Sequence, residues 1–551
     1  MINRAAKPGS YEDLREAIEK TAFVQAKNGA VIIASESTGI RAAWVFDLRA
    51  LMLQPHWLNR YAEIFWELFA DRYPFQVGGV ETAGIPLVAA IVMKGVERGT
   101  PVNGFYIRKS RKRQDLMKQI EGTLTDEPVI FVDDLMNTGG SVNKQIKILV
   151  SGGKKVTDAF VTLTFRPDEA YAFLKENDVR LNRLFTLQDF GIPLLSPTSA
   201  DVPQDSFETV WRYGAPDPSF HLVVQKSVPV LDDKRVFFGS DDGKFRALDQ
   251  KTGEIVWEFS TGRHPVGKGI LSSPALHKGV VFFGAYDGNM YALDAATGKK
   301  IWSNGDADWI GSSPDLAPDL GLVFVGLEFG LWKRRGGIAA LDMKTGTQKW
   351  IAYHPSLTHG SPLYIKEESA VVVGSNNGVV YAYDASNGQL RWTFASEGEI
   401  KTRPAYDAKR RTVIINSLEG TMFVLSAENG TPLFARNVGP MYSTPLVHND
   451  TIYISSLDKH VYAIDCATWK DLWSFETNGR IFASPAVFDA SLWIGSNDGK
   501  LYELDPKTGR LRHFFQATER ILNKIAYDEH DKRFFVSTVA NEIYCLKRKD
   551  I

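Results

Sequence analysis

The second half of this chain repeats one short pattern, and that repeat limits the available folds more than any other feature of the sequence. From Phe207 onward a Gly, an aromatic residue, Ala-Leu-Asp, Thr-Gly and a Trp recur in that order. Their spacing of about 40 to 48 residues is the length of one four-stranded propeller blade. Seven copies are complete, and they end at Trp257, Trp302, Trp350, Trp392, Phe434, Trp473 and His513.

Incomplete copies flank the seven complete ones. An eighth copy starts at Asn523 and ends near Lys547 without its last strand, whereas residues 207–213, which include Trp211, are a last strand without a blade. We predict that these two pieces form one blade, so that a ring of eight closes without an exposed sheet edge. A ring of seven blades is the alternative.

The repeated residues have structural explanations. The turn Asp-x-x-Thr-Gly places a glycine, such as Gly253 or Gly298, where a positive φ is expected. We interpret the large aromatic residue as packing between neighbouring blades rather than as a platform for stacking bases. This half resembles the pyrroloquinoline-quinone-type (PQQ) repeat propellers, which include quinoprotein dehydrogenases and noncatalytic scaffolds.

The resemblance to PQQ-type propellers does not extend to their cofactor chemistry. Quinone enzymes of that family use two adjacent cysteines, but Cys466 and Cys545 lie far apart, and we interpret both as buried. No PQQ is therefore expected. Because propellers offer a broad face and a central channel, this half is expected to recognise a protein or another ligand of unknown identity.

The first half of the chain alternates helical and strand patterns. Helices are predicted over residues 11–26, 59–69 and 142–149, and strands over residues 31–34, 104–107, 129–132 and 159–164. This alternation predicts an α/β domain with a parallel sheet and helices on both faces. The predicted organisation is an α/β domain over residues 1–190, a proline-punctuated linker over 191–206 and the propeller over 207–551.

The composition is that of an ordinary globular protein. With 64 basic and 65 acidic side chains the net charge is −1, so no overall field attracts nucleic acid or anionic lipid. Only two cysteines occur, and residues 1–20 contain no apolar leader segment. These features predict a cytoplasmic protein without a membrane segment.

Residues 129–141, VIFVDDLMNTGGS, carry the strongest chemical signature. An apolar strand leads into Asp133 and Asp134, and a Thr-Gly-Gly-Ser turn then opens a helix. At the carboxyl end of a strand, such a turn presents N–H groups and the positive end of a helix dipole to a phosphate. The two aspartates are suited to sugar hydroxyls or Mg²⁺. A plain turn in which the aspartates only cap the helix is the alternative.

At these residues the chain resembles the phosphoribosyl-pyrophosphate (PRPP) motif of type I phosphoribosyltransferases, and other segments resemble the orotate phosphoribosyltransferase branch. Residues 38–49 resemble that branch's substrate segment, and residues 79–87 resemble its pyrophosphate loop. Residues 107–112 resemble the strand end before its mobile catalytic loop, and residues 165–169 its Asp-Arg-x-Glu stretch. The chain departs from the pattern at Ala42-Ala43, Gln114 and Phe165, which leaves the acceptor base open.

The resemblance implies a PRPP- and Mg²⁺-dependent transfer that displaces pyrophosphate from C1 of PRPP, with three groups of site residues. The PRPP-binding residues are Thr82, Ala83, Gly84, Asp133, Asp134, Asn137, Thr138, Gly139, Gly140 and Ser141. The catalytic residues are Arg108, Lys109 and Lys112 at the pyrophosphate, with Asp133 and Asp134 at the ribose. Phe46 and Arg166 line the acceptor pocket, and Mg²⁺ is held mostly through the ligand, with Asp133 and Asp134 as its candidate protein contacts.

The basic run RKSRKR, residues 108–113, has three interpretations. It is a pyrophosphate clamp, a solvated face or a nucleic-acid contact. The run ends a strand immediately before a polar stretch, residues 114–122, which is long enough to close over a ligand. This position favours the clamp.

Three functions follow from these features. The first is a phosphoribosyltransferase, homodimeric through its α/β domain as the resemblance implies, whose propeller recruits a partner or regulates the site. The second is a noncatalytic PRPP or nucleotide sensor, including an effector in a bacterial stress or antiphage defence system. The third is a scaffold in which both halves are recognition modules.

Overall fold

The computed structural model describes residues 11–25, 32–33, 41–42, 44–108, 119–195, 206–216, 227–262, 269–331 and 335–549. The chain divides into two compact units, Met1–Val202 and Pro203–Ile551. Most of the predicted linker lies outside the described residues, and the boundaries at 190 and 207 stay predictions. No helix in the described ranges is both long and apolar enough to cross a membrane.

A six-stranded sheet forms the centre of the first unit. Its strands are β1 (Gln76–Val80), β2 (Asn103–Ile107), β3 (Ile120–Gly122), β4 (Val129–Met136), β5 (Val156–Thr164) and β6 (Arg180–Thr186). Their order across the sheet is β6-β5-β4-β1-β2-β3. All neighbouring pairs are parallel except β2 and β3, which are antiparallel. The sheet is therefore mainly parallel, as predicted, with one antiparallel pair at its edge.

Helices cover both faces of this sheet, as predicted. They are α1 (Glu12–Ala17), α2 (Leu48–Met52), α3 (Pro55–Phe69), α4 (Gly84–Glu97), α5 (Gly140–Ser151) and α6 (Ala172–Glu176), with a π-helix at Ile18–Ala22 and 3₁₀ helices at Ala70–Arg72, Asp168–Tyr171 and Leu187–Phe190. In β4, Val132 packs with Phe65 of α3 and Ile91 of α4. Its neighbour Phe131 packs with Ile146 of α5 on the opposite face, because successive strand side chains alternate.

At the start of the first unit, the predicted end of one helix is wrong, and a predicted strand forms but lies outside the main sheet. The helix predicted over 11–26 ends at residue 22, and Phe23–Gln25 is a strand that pairs antiparallel with Trp44–Phe46. Within the run 31–34, Ile32–Ile33 pairs antiparallel with Arg41–Ala42 in a separate two-stranded sheet. A short apolar run has the composition of a core strand whether it pairs locally or joins the main sheet, so composition alone could not place it.

The second unit is a propeller of eight four-stranded antiparallel sheets, which confirms eight blades rather than seven. Blade one contains the strands Val230–Leu231, Arg235–Gly239, Lys244–Asp249 and Ile255–Ser260, and blade two contains Ala275–His277, Val280–Gly284, Met290–Asp294 and Lys300–Asn304. Blade three contains Asp315–Ala317, Leu322–Phe329, Arg335–Asp342 and Gln348–His354. Blade four contains Leu363–Ile365, Ala370–Gly374, Val379–Asp384 and Leu390–Ala395. A short 3₁₀ helix, Lys366–Glu368, lies within blade four.

Blades five to seven follow the same plan, and the eighth contains both ends of the unit. Blade five contains the strands Ala405–Asp407, Thr412–Asn416, Thr421–Ser426 and Pro432–Asn437, and blade six contains Leu446–His448, Thr451–Ser455, His460–Asp465 and Asp471–Glu476. Blade seven contains Ala486–Phe488, Ser491–Gly495, Lys500–Leu504 and Leu511–Gln516. Blade eight contains Ala526–Asp528, Arg533–Ser537 and Glu542–Arg548 together with Phe207–Gly214. Phe207 pairs with Arg548 and Gly214 with Glu542, so the first strand of the unit closes the last blade as predicted. Cys466 and Cys545 are both free and buried, also as predicted.

The recurrent tryptophans join neighbouring blades at six of the eight blade junctions. Gly253 has a φ of 76°, and a Cβ at this position would lie 2.6 Å from the Trp211 ring of the preceding blade. Gly298 has the same relation to Trp257. The indole Nε1 atoms also donate hydrogen bonds to carbonyl oxygens of the next blade, in the pairs Trp211–Gln250, Trp257–Ala295, Trp302–Met343, Trp350–Ala385, Trp392–Ala427 and Trp473–Pro506. Their role is therefore packing between blades, as predicted.

One blade interface reverses the usual pair of a tryptophan and a glycine. Phe434 replaces the tryptophan of blade five, and Trp469 of blade six replaces the turn glycine. The two rings are stacked with centroids 4.8 Å apart. Trp469 keeps the left-handed turn conformation, with a φ of 57°. The smaller ring on one side thus leaves room for the larger ring on the other.

This exchange predicts strong coupling between the two positions. We expect Phe434→Trp to lower the free energy of unfolding by about 1–3 kcal/mol, because two indoles would compete for one space. The combined variant with Trp469→Gly should recover most of that loss, since it recreates the tryptophan–glycine pair found at six other blade junctions. Urea unfolding of the two single variants and the double variant measures the coupling. Additive losses would show that the rings do not share one space.

Candidate functional site

The site predicted from the sequence lies where the strand order of the first unit reverses. Strands β1 and β4 are neighbours, but the chain continues from β1 to β2 on one side and from β4 to β5 on the other. In open α/β sheets, ligands bind at the carboxyl ends of the two strands beside such a reversal. A Cβ on Gly84 would lie 2.8 Å from Gly79 Cα and 3.6 Å from the carbonyl oxygen of Val132. The loop 82–84 after β1 is thus adjacent to β4.

The loop after β4 opens helix α5. Gly139 precedes the helix with a φ of 75°, and a Cβ there would lie 2.5 Å from the Phe173 ring. The glycine therefore provides both the backbone conformation and the space that the turn needs. Asn137, Thr138 and Ser141 are exposed around the first turn of the helix. The N–H groups of this turn and the flanking hydroxyls form a surface suited to an anion.

The two glycines of this loop have different environments, which permits a matched test. At Gly140 a Cβ would approach only Thr138 Oγ1, at 3.7 Å. We expect Gly139→Ala to weaken PRPP binding about tenfold or more, because the left-handed conformation alone costs an alanine about 1–2 kcal/mol. Gly140→Ala should change the affinity far less. Isothermal titration of both variants measures the difference, and equal losses would contradict a specific requirement at Gly139.

Asp133 and Asp134 occupy the end of β4 directly before this loop. Asp133 is 5% exposed, and its Oδ1 accepts a hydrogen bond of 3.0 Å from the Asp134 N–H. Asp134 Oδ1 accepts one of 2.8 Å from the Leu135 N–H. Burial raises the pKa of the Asp134 carboxyl, although hydrogen bonds with Asp133 and the backbone oppose the rise. A buried acceptor pair of this kind is suited to bind vicinal hydroxyls.

Two residues near the aspartates were not among the predicted site residues. Arg49 lies close enough to lower the pKa of Asp134, although its side chain is largely exposed and its Nε donates to Asp47 at 3.2 Å. Tyr61 of α3 is completely buried, and burial together with the charges of Asp133 and Asp134 raises the pKa of its phenol well above 10.0. Arg49 follows Asp47 and Leu48 in the predicted substrate segment, and this motif could have identified it as a site residue. Tyr61 lies on a helix without any motif.

Arg166, a predicted acceptor residue, contacts the loop after β4. Its Nε donates a hydrogen bond of 3.0 Å to Asn137 Oδ1. Tyr171 holds the segment in place, since its hydroxyl accepts from the Arg166 N–H at 3.1 Å and donates to the Met136 carbonyl at 2.9 Å. The structure thus brings Arg166 to the loop 137–141.

Phe46, the other predicted acceptor residue, belongs to an aromatic cluster. It is 5% exposed and packs against Phe190, with ring centroids 5.1 Å apart. Trp44 and Phe165 are half-buried, and their centroids are 5.6 Å apart. The rings of Trp44 and Phe165 are therefore more accessible to a ligand than the ring of Phe46.

Only part of the predicted pyrophosphate clamp can be placed. Arg108 follows the end of β2, and its Nη1 lies 3.5 Å from Glu121 Oε1. Lys109, Lys112 and Gln114 lie outside the described residues. Within the described ranges no group of three or more His, Cys, Asp or Glu side chains is arranged to hold a metal ion.

The strand order, the loop 82–84 and the glycine-started helix behind two aspartates define the first unit as a type I phosphoribosyltransferase fold. It is 30% identical over 173 residues to an orotate phosphoribosyltransferase of Bradyrhizobium sp. (strain ORS 278), covering 30% of this chain and 90% of that protein. A family model described as outer membrane protein assembly factor BamB, a PQQ-type repeat, matches residues 201–361, 334–433 and 376–525. The chain therefore belongs to the orotate phosphoribosyltransferase family in its first unit and to the PQQ-type repeat family in its second.

Two solved structures show the same propeller fold. BamB from Moraxella catarrhalis is similar with a TM-score of 0.50 and 17% identity, over 63% of this chain and 98% of that protein. A quinohemoprotein alcohol dehydrogenase from Comamonas testosteroni is similar with a TM-score of 0.52 and 16% identity, over 62% of this chain and 76% of that protein. At these identities the likeness is one of fold alone.

Proposed function

We propose that the first unit binds PRPP with Mg²⁺ and transfers its phosphoribosyl group to an acceptor base. The observation that carries this proposal is the position of Asp133 and Asp134 directly before a glycine-started helix, at the point where the strand order reverses. A phosphate and a ribose are the two groups that this arrangement suits. Family membership adds support, since the relatives of this unit are orotate phosphoribosyltransferases.

Each part of PRPP has a candidate partner. Residues 138–141 at the start of α5 bind the 5′-phosphate, and Asp133 with Asp134 accepts hydrogen bonds from the ribose hydroxyls. The loop 82–84 and Arg108 bind the pyrophosphate, together with Lys109 and Lys112. These residues hold C1 in line with the acceptor and neutralise the charge that develops as pyrophosphate leaves.

Mg²⁺ fits this site as an ion that enters with PRPP. The described residues offer it two adjacent carboxylates and no third acidic or imidazole ligand. Mg²⁺ commonly keeps several waters and binds one or two carboxylates plus substrate phosphates. When bound, it neutralises the oxygens of the leaving pyrophosphate. The protein's part is to orient the ribose through Asp133 and Asp134.

The acceptor pocket extends from Arg166 to the aromatic cluster. Trp44 and Phe165 present half-buried rings, which are suited to the flat face of a base. The Nε atom of Arg166 donates to Asn137 Oδ1 at 3.0 Å, and this contact holds the side chain at the loop after β4, beside the proposed acceptor pocket. A screen of acceptor bases identifies the second substrate.

Titration with PRPP and Mg²⁺, followed by turnover assays with a panel of purine and pyrimidine bases, tests the proposal. We expect Mg²⁺-dependent PRPP binding and release of pyrophosphate with at least one base. Binding without pyrophosphate exchange would instead identify a sensor or regulator, the second candidate. That candidate is favoured by Phe165, which stands where the family has an acidic residue. Absence of binding would reject both and leave a scaffold.

The proposal includes two features of the whole protein. Homodimerisation through the first unit follows from the family resemblance, and the mass of the protein in solution measures it. The propeller is proposed to recognise a partner or a ligand that places or regulates the transferase.

A further inference from the structure

One position of the propeller repeat forms a ring around its axis. The first strands contact one another between blades one and two, three and four, five and six, and eight and one, which places the first strands innermost. The ring consists of the residue that lies two positions before the first strand of each blade. In blades one to eight these residues are Val228, Ser273, Ser313, Ser361, Arg403, Thr444, Ser484 and Lys524. Backbone N–H groups of Val228, Ser273, Ser313 and Thr444 donate to the hydroxyls of Ser273, Ser313, Ser361 and Ser484 in the next blade, at 2.9–3.0 Å. These hydrogen bonds connect ring residues of neighbouring blades.

Three serine hydroxyls of this ring donate no hydrogen bond to another described residue. Ser273, Ser313 and Ser361 each accept one backbone N–H, and none of their protons is donated to another described residue. A serine hydroxyl has one donor besides its acceptor lone pairs. The ring therefore offers hydrogen-bond donors to a group near the axis.

Two members of the ring are cations instead of small residues. Arg403 of blade five reaches Asp315 in the innermost strand of blade three, with Nη2 2.7 Å from Oδ2. Lys524 of blade eight is half-buried and makes no hydrogen bond or ion pair with any described residue. Burial lowers the pKa of Lys524, and the positive charge of Arg403, which occupies the equivalent ring position of blade five, lowers it further. Arg403, Lys524 and Asp315, as described residues of this region, contribute two positive charges and one negative charge.

A half-buried lysine with no hydrogen-bond or ion-pair partner among the described residues is energetically unfavourable. The other blades complete the ring with hydroxyls or a valine, which avoid the cost of burying an ammonium group. That cost is offset when an anion supplies the missing partner.

We propose that this ring binds an oxyanion, a phosphate or carboxylate group of a small molecule, between Lys524 and Arg403. The ammonium group of Lys524 pairs with the anion, the guanidinium of Arg403 contributes its second positive charge, and the free protons of Ser273, Ser313 and Ser361 add hydrogen bonds. The site belongs to the second unit and does not depend on PRPP binding in the first.

Chemical labelling of Lys524 tests this site in the natural sequence, without a substitution. The full chain is reductively methylated in sodium pyrophosphate, in sodium citrate and in sodium chloride at equal ionic strength, and labelling is followed by peptide mass spectrometry. We expect one or both oxyanions to slow the labelling of Lys524 several-fold, because the rate follows the unbound fraction. Protection by pyrophosphate alone identifies a phosphate ligand, and protection by citrate alone a carboxylate ligand.

Two controls make the result specific. Lys507, an exposed lysine in a turn of blade seven, should label at the same rate in all three salts. Arg403→Gln should weaken the protection of Lys524, because it removes the second cation. Equal labelling of Lys524 in all salts, equal protection of Lys507, or unchanged protection in Arg403→Gln would each overturn the proposal. A failure of PRPP to bind the first unit would affect none of these measurements.

Discussion

Replacing both aspartates, Asp133→Asn with Asp134→Asn, is expected to reduce the affinity for PRPP by about a hundredfold or more. An asparagine keeps the size of the side chain but loses the charge and one acceptor oxygen. Hydrogen bonds to charged groups contribute about 1.5–3 kcal/mol each, and 1.4 kcal/mol corresponds to a tenfold change in affinity. Isothermal titration with PRPP and Mg²⁺ measures the loss.

The same double variant should not be less stable than the natural protein. Burial raises the pKa of Asp134 above its ordinary 3.8, so the ionised side chain opposes folding at neutral pH. That cost is present above the raised pKa and disappears as the pH falls through it towards 3.8. We therefore expect an equal or higher melting temperature at pH 7, and a smaller gain near pH 4.

Asp126→Asn provides the matched control for this variant. Asp126 is fully exposed in the same unit, and its carboxylate is 2.8 Å from Lys154 Nζ. It should leave PRPP affinity unchanged. A double aspartate variant that binds PRPP as tightly as the control would contradict the proposed contact with the ribose.

Trp211→Ala is expected to cause the largest loss of stability in the propeller, about 3–5 kcal/mol. The indole packs on Gly253 of blade one, and its Nε1 donates to the Gln250 carbonyl at 3.0 Å. It belongs to Phe207–Gly214, the strand that closes the ring, so the loss falls on the junction between the last and first blades. Urea unfolding measures the change.

Val210→Ala tests whether this loss belongs to the tryptophan contact. Val210 precedes Trp211 in the same strand and is 41% exposed. Its truncation should cost less than about 0.5 kcal/mol. Similar losses for the two variants would mean that the strand, rather than the indole, determines the stability of the junction.

The repeat made the propeller predictable down to its blade number. Each copy carries its own turn glycine and aromatic residue, and the incomplete pieces at the two ends sum to one blade. The PRPP motif was predictable for a similar reason, because the strand, the two aspartates and the glycine turn are consecutive in the chain. Local sequence therefore encodes these features directly.

Other features depend on contacts between distant segments. Strand β1 contains Gly78 and Gly79, although glycine has a low strand propensity. The two glycines are needed for packing, because a Cβ on Gly78 would lie 2.4 Å from the Phe105 ring and a Cβ on Gly79 would lie 3.0 Å from Gly84 Cα. The exchange of Phe434 and Trp469 is visible only across a blade interface. Lys524 and Arg403 belong to blades eight and five, and only the circular arrangement of the blades places them at equivalent positions of one ring.

The closing strand also determines how the propeller responds to mechanical force. Ser206 and Lys549 stand side by side at the open end of the last strand pair, where the Lys549 N–H donates to the Ser206 carbonyl at 2.9 Å. Tension applied through these two residues loads the antiparallel pair from Phe207–Arg548 towards Gly214–Glu542, so its hydrogen bonds break in succession rather than together. The junction that closes the ring therefore separates one residue pair at a time when its two ends are pulled apart.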